Sequence, residues 1–260
     1  MSSMKISFKS LNNRLRSQWI DYVKRIDLTQ RLDYAKRDIL LNDNVRLGSC
    51  QKEPETIRWI ESFAESDVFF DIGANIGAYS LVASIHCKTV FAFEPAIMNY
   101  LLLCKNIISN VENKIAANII PVHLAFSNEN KIENLNYVNL NSGKSGHQIK
   151  DRITDYNGEP FAPSFRMGVP ALTIDAFLDI FLVSAPEHIK IDVDGFELII
   201  LQGGKKALSG NIVKSVLVET NRSLADYPNI VALMSECGFT LVAEHSLSLL
   251  PNEVNCLFCK

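Results

Sequence analysis

The chain has no apolar run long enough to cross a bilayer, and its first residues lack the basic-then-apolar pattern of a secretory signal. Its net charge of −3 at pH 7 gives no basic excess, which argues against generic nucleic-acid binding. These absences predict a cytoplasmic protein with no transmembrane segment and no nucleic acid as partner.

Cysteine is sparse, with six residues scattered over 260 positions, far below the density of a disulfide scaffold. We therefore expect reduced thiols. Cys256 and Cys259 form a C-x-x-C pair, but no second pair or neighbouring histidine completes a zinc site. The sequence predicts strand thiols here and no metal site.

The composition, 47% hydrophobic and 21% charged, is typical of one large α/β domain, which we place at residues 50–260. Residues 1–49 form an N-terminal extension of different charge. Nine Lys/Arg and four Asp in residues 1–42 give +5 (9 − 4), so the remainder carries −8 (−3 − 5).

Apolar residues in this extension recur at helical spacing and predict two helices. The first contains Leu11, Leu15, Trp19, Val23 and Ile26, and the second contains Leu28, Leu32 and Ile39. The expected role is packing on the core or on a second subunit of a homo-oligomer. The alternative is a basic face that meets an anionic substrate or a membrane surface.

The stretch from Val68 to Gly77 predicts a buried strand, a tight turn and the start of a helix. Gly73 permits the turn, and Gly77 permits close packing of the helix. A dinucleotide fingerprint would need glycine where Asn75 stands. Asp71 at the strand end would repel a pyrophosphate but suits the sulfonium of S-adenosylmethionine. The alternative is an ordinary turn without a ligand.

The next predicted strand ends at Glu94-Pro95, and Glu94 follows Asp71 by 23 residues (94 − 71). An acid at this spacing typically binds the ribose hydroxyls of an adenosine. Ser127, after the third strand, is placed to bond the adenine edge, although a turn of small residues explains it equally well. The alternative for Glu94 is a surface acid.

Strands and helices alternate from residue 65 onward, which predicts a doubly wound, mostly parallel sheet with an antiparallel last pair. Ligands bind such sheets at the carboxyl ends of the strands. Five polar side chains fall at these ends: Asp71, Glu94, Ser127, Asp192 and Glu219. Residues 131–140 predict a strand outside this sheet. No secondary structure is evident over residues 151–167, which favours a lid.

Methyl transfer needs an oxygen aligned behind the methyl carbon and a group that takes its proton. Asp192 is the first candidate, as base or as orienter of the hydroxyl. His147, in a polar glycine-containing loop, is the second. Asp194 is the third, although its D-x-x-E spacing to Glu197 equally indicates a helix capping box. A divalent ion held by Asp192, Asp194 and Glu219 is a further hypothesis.

Together these motifs resemble the FkbM family of S-adenosylmethionine-dependent methyltransferases. The resemblance rests on residues 52–56, 70–80, 93–95, 172–175 and 189–197, within roughly residues 50–222. It implies a Rossmann-like class I methyltransferase fold and methylation of a hydroxyl on a sugar or small natural product. The residues predicted to bind the cofactor are Asp71, Gly73, Ala74, Asn75, Gly77, Glu94, Pro95, Ser127 and Asp192.

Two other functions fit the same pattern. One is a nicotinamide-dependent oxidoreductase, which Asn75 and Asp71 disfavour. The other is a non-catalytic partner protein that keeps the fold and binds another chain through its N-terminal helices. Retention of both Asp71 and Glu94 disfavours that function.

Overall fold

A computed structural model describes residues 30–42, 46–111, 115–137, 148–149, 163, 165–247 and 250–260. Its strands are β1 Gln30–Arg31, β2 Leu40–Leu41, β3 Val68–Ile72, β4 Thr89–Phe93, β5 Ile119–Val122, β6 Ala125–Phe126, β7 Lys131–Tyr137, β8 Gln148–Ile149, β9 Phe165–Leu172, β10 His188–Ile191, β11 Ser215–Asn221, β12 Thr240–Leu247 and β13 Leu250–Cys259. Its helices are α1 Ser49–Lys52, α2 Pro54–Glu61, α3 Ala78–Ala83, α4 Ile97–Val111, α5 Ile174–Phe181, α6 Glu197–Gly203, α7 Lys205–Ser209 and α8 Asp226–Glu236.

The main sheet has the order β12-β13-β11-β10-β3-β4-β5. β3 pairs in parallel with both β4 and β10, and β10 pairs in parallel with β11. β13 is antiparallel to both of its neighbours. The predicted doubly wound, mostly parallel sheet with an antiparallel last strand is therefore confirmed.

Helices cover both faces of this sheet, so its central strands are buried and most of their residues are apolar. Successive residues of β3 point to opposite faces. Phe69 packs on one face with Trp59 and Leu81, from α2 and α3. Phe70 packs on the other with Phe177 of α5. Each buried phenylalanine contributes about 2–3 kcal/mol of hydrophobic stabilisation, which fixes the register that brings the strand ends together.

The second helix predicted in the N-terminal extension is wrong, because β1 and β2 pair there as an antiparallel hairpin. Leu32, Ile39 and Leu41 are buried in the same core as Phe69. The side-chain amide of Asn110 on α4 bonds both backbone groups of Leu40, which fixes the hairpin to that helix. Tertiary contacts thus override the helical spacing. The first predicted helix lies outside the described residues.

A small second sheet, ordered β6-β9-β7-β8, stands beside the main one. The strand predicted over residues 131–140 is confirmed as β7. The absence of structure predicted for residues 151–167 is wrong at its end, because β9 begins at Phe165 and pairs with β7. The earlier part of that range, including the polar loop with His147, lies outside the described residues.

All six cysteines are free thiols, as expected. No helix in the described part of the chain is long and apolar enough to cross a membrane.

Candidate cofactor and acceptor site

The turn after β3 is built around two glycines with positive φ. Gly73 has φ +83°, and a Cβ there would lie 1.9 Å from the carbonyl oxygen of Asp192. Gly77 has φ +88°, and its Cβ would lie 2.4 Å from Leu103 on α4. Only glycine fits at either position. Gly77 thus lets the start of α3 approach α4 closely.

Most backbone donors of this turn are already bonded within the protein. The N–H groups of Gly73 and Ala74 both donate to the carbonyl of Phe93, at 3.0 and 2.9 Å. The N–H of Gly77 donates to the carbonyl of Ala74. These three N–H groups are therefore not available to a ligand.

Glu94 is buried at the end of β4 and lines a cavity beside the turn. Its Oε2 accepts from the N–H of Asn75 and its Oε1 from the N–H of Ala96, both at 2.8 Å. Burial raises the pKa of Glu94 to about 7, against the lowering effect of these hydrogen bonds. The side chain of Asn99 is a third donor to this carboxylate, and a carboxylate has about four acceptor positions, so it can still accept a bond from a ligand hydroxyl.

Asp71 lies behind the turn, not in the cavity wall. It is 1% exposed, and its Oδ2 accepts from Ser80 Oγ at 2.5 Å. Burial raises its pKa, opposed by the positive charge of Lys190. The register pairs Asp71 with Lys190 on the adjacent strand, so both side chains point to the same sheet face. Asp71 therefore faces Ser80 and Lys190 and does not line the cavity.

A buried ion pair joins β10 to the cavity. Lys190 Nζ lies 2.7 Å from Asp192 Oδ2 and 4.9 Å from the ring centroid of Tyr79. Burial alone would raise the pKa of Asp192, but the charge and hydrogen bond of Lys190 lower it. Asp192 is thus held as a carboxylate with one edge toward the cavity.

The cavity has a volume of about 240 Å³ and lies at the carboxyl ends of β3, β4, β10 and β11. Predicted residues in its wall are Gly73, Ala74, Asn75, Glu94, Pro95, Asp192 and Asp194. Five residues to which the motifs gave no role also line it: Arg46, Ser49, Lys52, Tyr79 and Glu253. Lys52 and Tyr79 lie within motifs that carry the family resemblance, whereas Arg46, Ser49 and Glu253 lie outside all of those motifs.

Gly77 and Ser127 are not part of the wall. The N–H of Ser127 donates to the carbonyl of Leu172, and its own carbonyl lies against Gly203 of α6. The apolar wall near Ser127 consists of Phe93, Leu124, Phe126, Leu135 and Ile200, a surface that suits a planar base.

The predicted capping box of Asp194 and Glu197 is wrong. Helix α6 begins at Glu197, and its N-cap is Phe196, without a side-chain hydrogen bond. Glu197 instead accepts from the N–H of Gly195 at 2.9 Å, and burial raises its pKa to about 7. Asp194 has φ +56°, which turns the chain at the cavity rim.

Glu219 stands at the end of β11 and lines both this cavity and a smaller one of about 40 Å³. Burial and the negative charge of Asp192 raise its pKa well above the usual value. Among the described residues, no group of three His, Cys, Asp or Glu side chains could hold a metal ion. The hypothesis of a cage formed by Asp192, Asp194 and Glu219 therefore lacks support.

The sheet order and a cleft across its strand ends define the class I methyltransferase fold. Sequence comparison agrees, because the methyltransferase FkbM domain matches residues 71–241. The chain belongs to the FkbM methyltransferase family, and the predicted resemblance is confirmed. S-adenosylmethionine is the cofactor of this family, and a buried acid at the end of the second parallel strand beside an apolar wall fits its adenosine.

Individual proteins are similar over most of this chain. It is 26% identical over 193 residues to the hexuronic acid methyltransferase AglP of Haloferax volcanii, covering 74% of this chain and 71% of that one. The crystal structure of methyltransferase FkbM from Methylobacillus flagellatus KT superposes with a TM-score of 0.51 at 17% identity, covering 76% and 44%. Trm5b from Pyrococcus abyssi gives 0.50 at 12%, covering 90% and 56%. The chain thus spans less than two thirds of either solved protein.

Proposed function

We propose that this protein is an O-methyltransferase that uses S-adenosylmethionine to methylate a hydroxyl of a sugar or small natural product. The observation that carries the proposal is the carboxylate of Asp192, which opens into the same cavity as Glu94. With the ribose on Glu94 and the base on the apolar wall, the sulfonium methyl would face the ends of β10 and β11. A hydroxyl bonded to Asp192 would then approach the methyl carbon.

The chemistry of the cavity favours a polyol acceptor. Acids at its β10–β11 end are Asp192, Asp194, Glu219 and Glu253, and carboxylates are strong acceptors for sugar hydroxyls. Arg46 and Lys52 supply positive charge to the same wall. The relative AglP is by name a methyltransferase of a hexuronic acid. The hydroxyls of a carboxylated sugar would donate hydrogen bonds to the acids, and its carboxylate would pair with Arg46 and Lys52.

Proposed roles of the chain's own residues follow from this placement. Asp192 orients the acceptor hydroxyl, and Glu94 holds the ribose. Asp194 contacts the acceptor at the rim. His147 stays a candidate for proton transfer, although it lies outside the described residues. A cytoplasmic location and a homo-oligomer formed through the N-terminal segment likewise stay predictions.

The test is transfer of a labelled methyl group from S-adenosylmethionine to a panel of hexuronic acids, matched neutral hexoses and a fractionated cell extract. We expect labelled methyl ether from wild-type protein and at least a hundredfold slower transfer by Asp192→Asn. Label on nitrogen or carbon would contradict the O-methyl assignment. Calorimetric binding of NAD without binding of S-adenosylhomocysteine would favour the oxidoreductase, and cofactor binding without transfer would favour a non-catalytic partner.

A further inference from the structure

Glu219 is placed beside Asp192 by the pairing of β10 with β11. Ile191 pairs in register with Val218. The residues that follow them, Asp192 just after β10 and Glu219 within β11, therefore lie next to each other toward the carboxyl ends of these two strands. Asp192 faces the main cavity, whereas Glu219 faces both this cavity and the smaller one next to it. Both carboxylates therefore line the space in which an acceptor hydroxyl would bind.

The two carboxylates differ in their partners. Asp192 is bonded to Lys190, which is 1% exposed. Protonating Asp192 would leave this buried ammonium without its hydrogen-bonded partner, which is costly. Glu219 accepts no hydrogen bond from any residue in the described ranges, so both of its oxygens remain available to a ligand. Asp192 is thus a good acceptor of a hydrogen bond, and Glu219 is the better acceptor of a proton.

The charges around Glu219 support this division. Asp192 and Glu53 repel its negative form, while Lys190 and Lys52 offset them only in part, so burial and repulsion together favour the neutral form. Charged and titratable groups from five segments face Glu219. They are Lys190 of β10 with Asp192 and Asp194 after it, Lys52 and Glu53 between α1 and α2, Tyr79 of α3, and Glu253 of β13. Two neighbouring acids whose pKa values are shifted in opposite directions are typical of a site that transfers a proton.

Resting on the proposed function, we infer that Glu219 is the general base of methyl transfer and that Asp192 orients the hydroxyl. The acceptor oxygen forms a bond to the methyl carbon while the methyl–sulfur bond breaks, and that electron pair stays on sulfur. The hydroxyl proton passes to the Glu219 carboxylate. The products are a methyl ether, S-adenosylhomocysteine and protonated Glu219, which returns its proton to water.

The test compares Glu219→Gln with Glu253→Gln, a matched change of another acid that lines the same two cavities. In Glu219→Gln we expect kcat to fall by about 10²–10⁴-fold, while the Kd for S-adenosylhomocysteine changes less than about threefold. Glu253 is placed to bind the acceptor but not to take its proton, so in Glu253→Gln we expect the KM for the acceptor to rise while kcat falls by at most about tenfold. A Glu219→Gln enzyme within threefold of the wild-type kcat would overturn the inference.

The pH profile separates a base from a structural group. Wild-type kcat should rise with pH, with an apparent pKa above the ordinary carboxyl range, because only ionised Glu219 takes the proton. This rise of kcat with pH should vanish in Glu219→Gln and persist in Glu219→Asp. If it vanishes in Asp192→Asn and persists in Glu219→Gln, the roles are reversed and the inference fails.

A measurement that needs no turnover is NMR titration of the ¹³C-labelled carboxyl group of Glu219 in the S-adenosylhomocysteine complex. The resonance of Glu219 is assigned by its absence from the spectrum of Glu219→Gln. Titration at the ordinary pKa of a free glutamate would count against the base. Failure of the proposed function looks different, because wild-type protein itself would then methylate no hydroxyl.

Discussion

The backbone nitrogen of Asn75 donates to Oε2 of Glu94 at 2.8 Å. This bond joins the turn after β3 directly to the acid at the end of β4. The other carboxylate oxygen is held by the N–H of Ala96. Two fixed donors orient the carboxylate before any ligand arrives. Preorganisation of this kind reduces the ordering cost of binding.

Glu94→Gln should weaken binding of S-adenosylhomocysteine about 10–100-fold, because hydrogen bonds to a charged acceptor contribute about 1.5–3 kcal/mol. The amide NH₂ would also face a backbone N–H on one side. Calorimetric titration measures the Kd, with Glu253→Gln as the control acid. The pKa of about 7 adds a pH effect, since protonation of Glu94 removes its charge. Wild-type Kd should be about tenfold higher at pH 6 than at pH 8, and Glu94→Gln should lack this slope.

Gly73→Ala should destabilise the fold by roughly 3 kcal/mol, from left-handed backbone strain and the 1.9 Å approach to the Asp192 carbonyl. Relief of that clash would move Asp192, so methyl transfer should fall as well. Urea unfolding gives the stability change. Gly48→Ala is the matched control, since nothing lies within 4 Å of its Cβ position. Equal stability of the two variants would contradict this account.

Lys190→Met should destabilise the protein by about 3–5 kcal/mol, because it leaves Asp192 and Asp71 without their shared cation. Burial would lower the pKa of Lys190, but these two carboxylates outweigh it and raise that pKa. Adding Asp192→Asn to Lys190→Met should recover part of the loss. A double-mutant cycle on the free energy of unfolding measures the coupling. Strict additivity of the two changes would show that the pair is energetically unimportant.

Acid should destabilise the protein in two stages through the pair His188 and Asp67, whose Nε2 and Oδ2 atoms lie 3.0 Å apart. Burial lowers the pKa of His188, so the unfolded chain takes up that proton first as pH falls below about 6.5. Burial would raise the pKa of Asp67, but hydrogen bonds from Lys214, Ala64 and His188 lower it to about 2.

The stability from Asp67 is therefore present above about pH 3.8 and is lost as pH falls toward 2, on the order of 2 kcal/mol. Asp67→Asn should lose this amount at neutral pH and show a flatter curve below pH 4. Thermal unfolding from pH 7 to pH 3 checks both stages. A wild-type Tm that stays constant between pH 7 and pH 5 would contradict the His188 stage.

The part of the cavity around Gly73 and Glu94 could be predicted from the sequence because its elements are local. The buried run of β3 and the glycines at 73 and 77 specify strand, turn and helix from consecutive residues. Glu94 follows at a spacing set by one helix and one strand. Asp192 and Glu219 could be placed at strand ends for the same reason.

Other features could not be predicted because they depend on side-chain direction or on distant segments. Asp71 has the right position in the chain, but its side chain points to the face of Lys190, behind the turn. The apolar residues around β1 and β2 have a helical spacing, but the segment forms a hairpin. Asn110 of α4, some seventy residues away, binds the backbone of that hairpin. Arg46 and Lys52 reach the cavity only through such tertiary contacts.

Arg46, Ser49 and Lys52 precede the family-matched region, which begins at residue 71, and Glu253 follows its end at residue 241. The cavity is thus assembled from a shared half and a half drawn from flanking sequence. Swapping residues 30–52 between relatives should therefore exchange acceptor preference while leaving cofactor affinity intact, which makes these flanks the natural target for redesign.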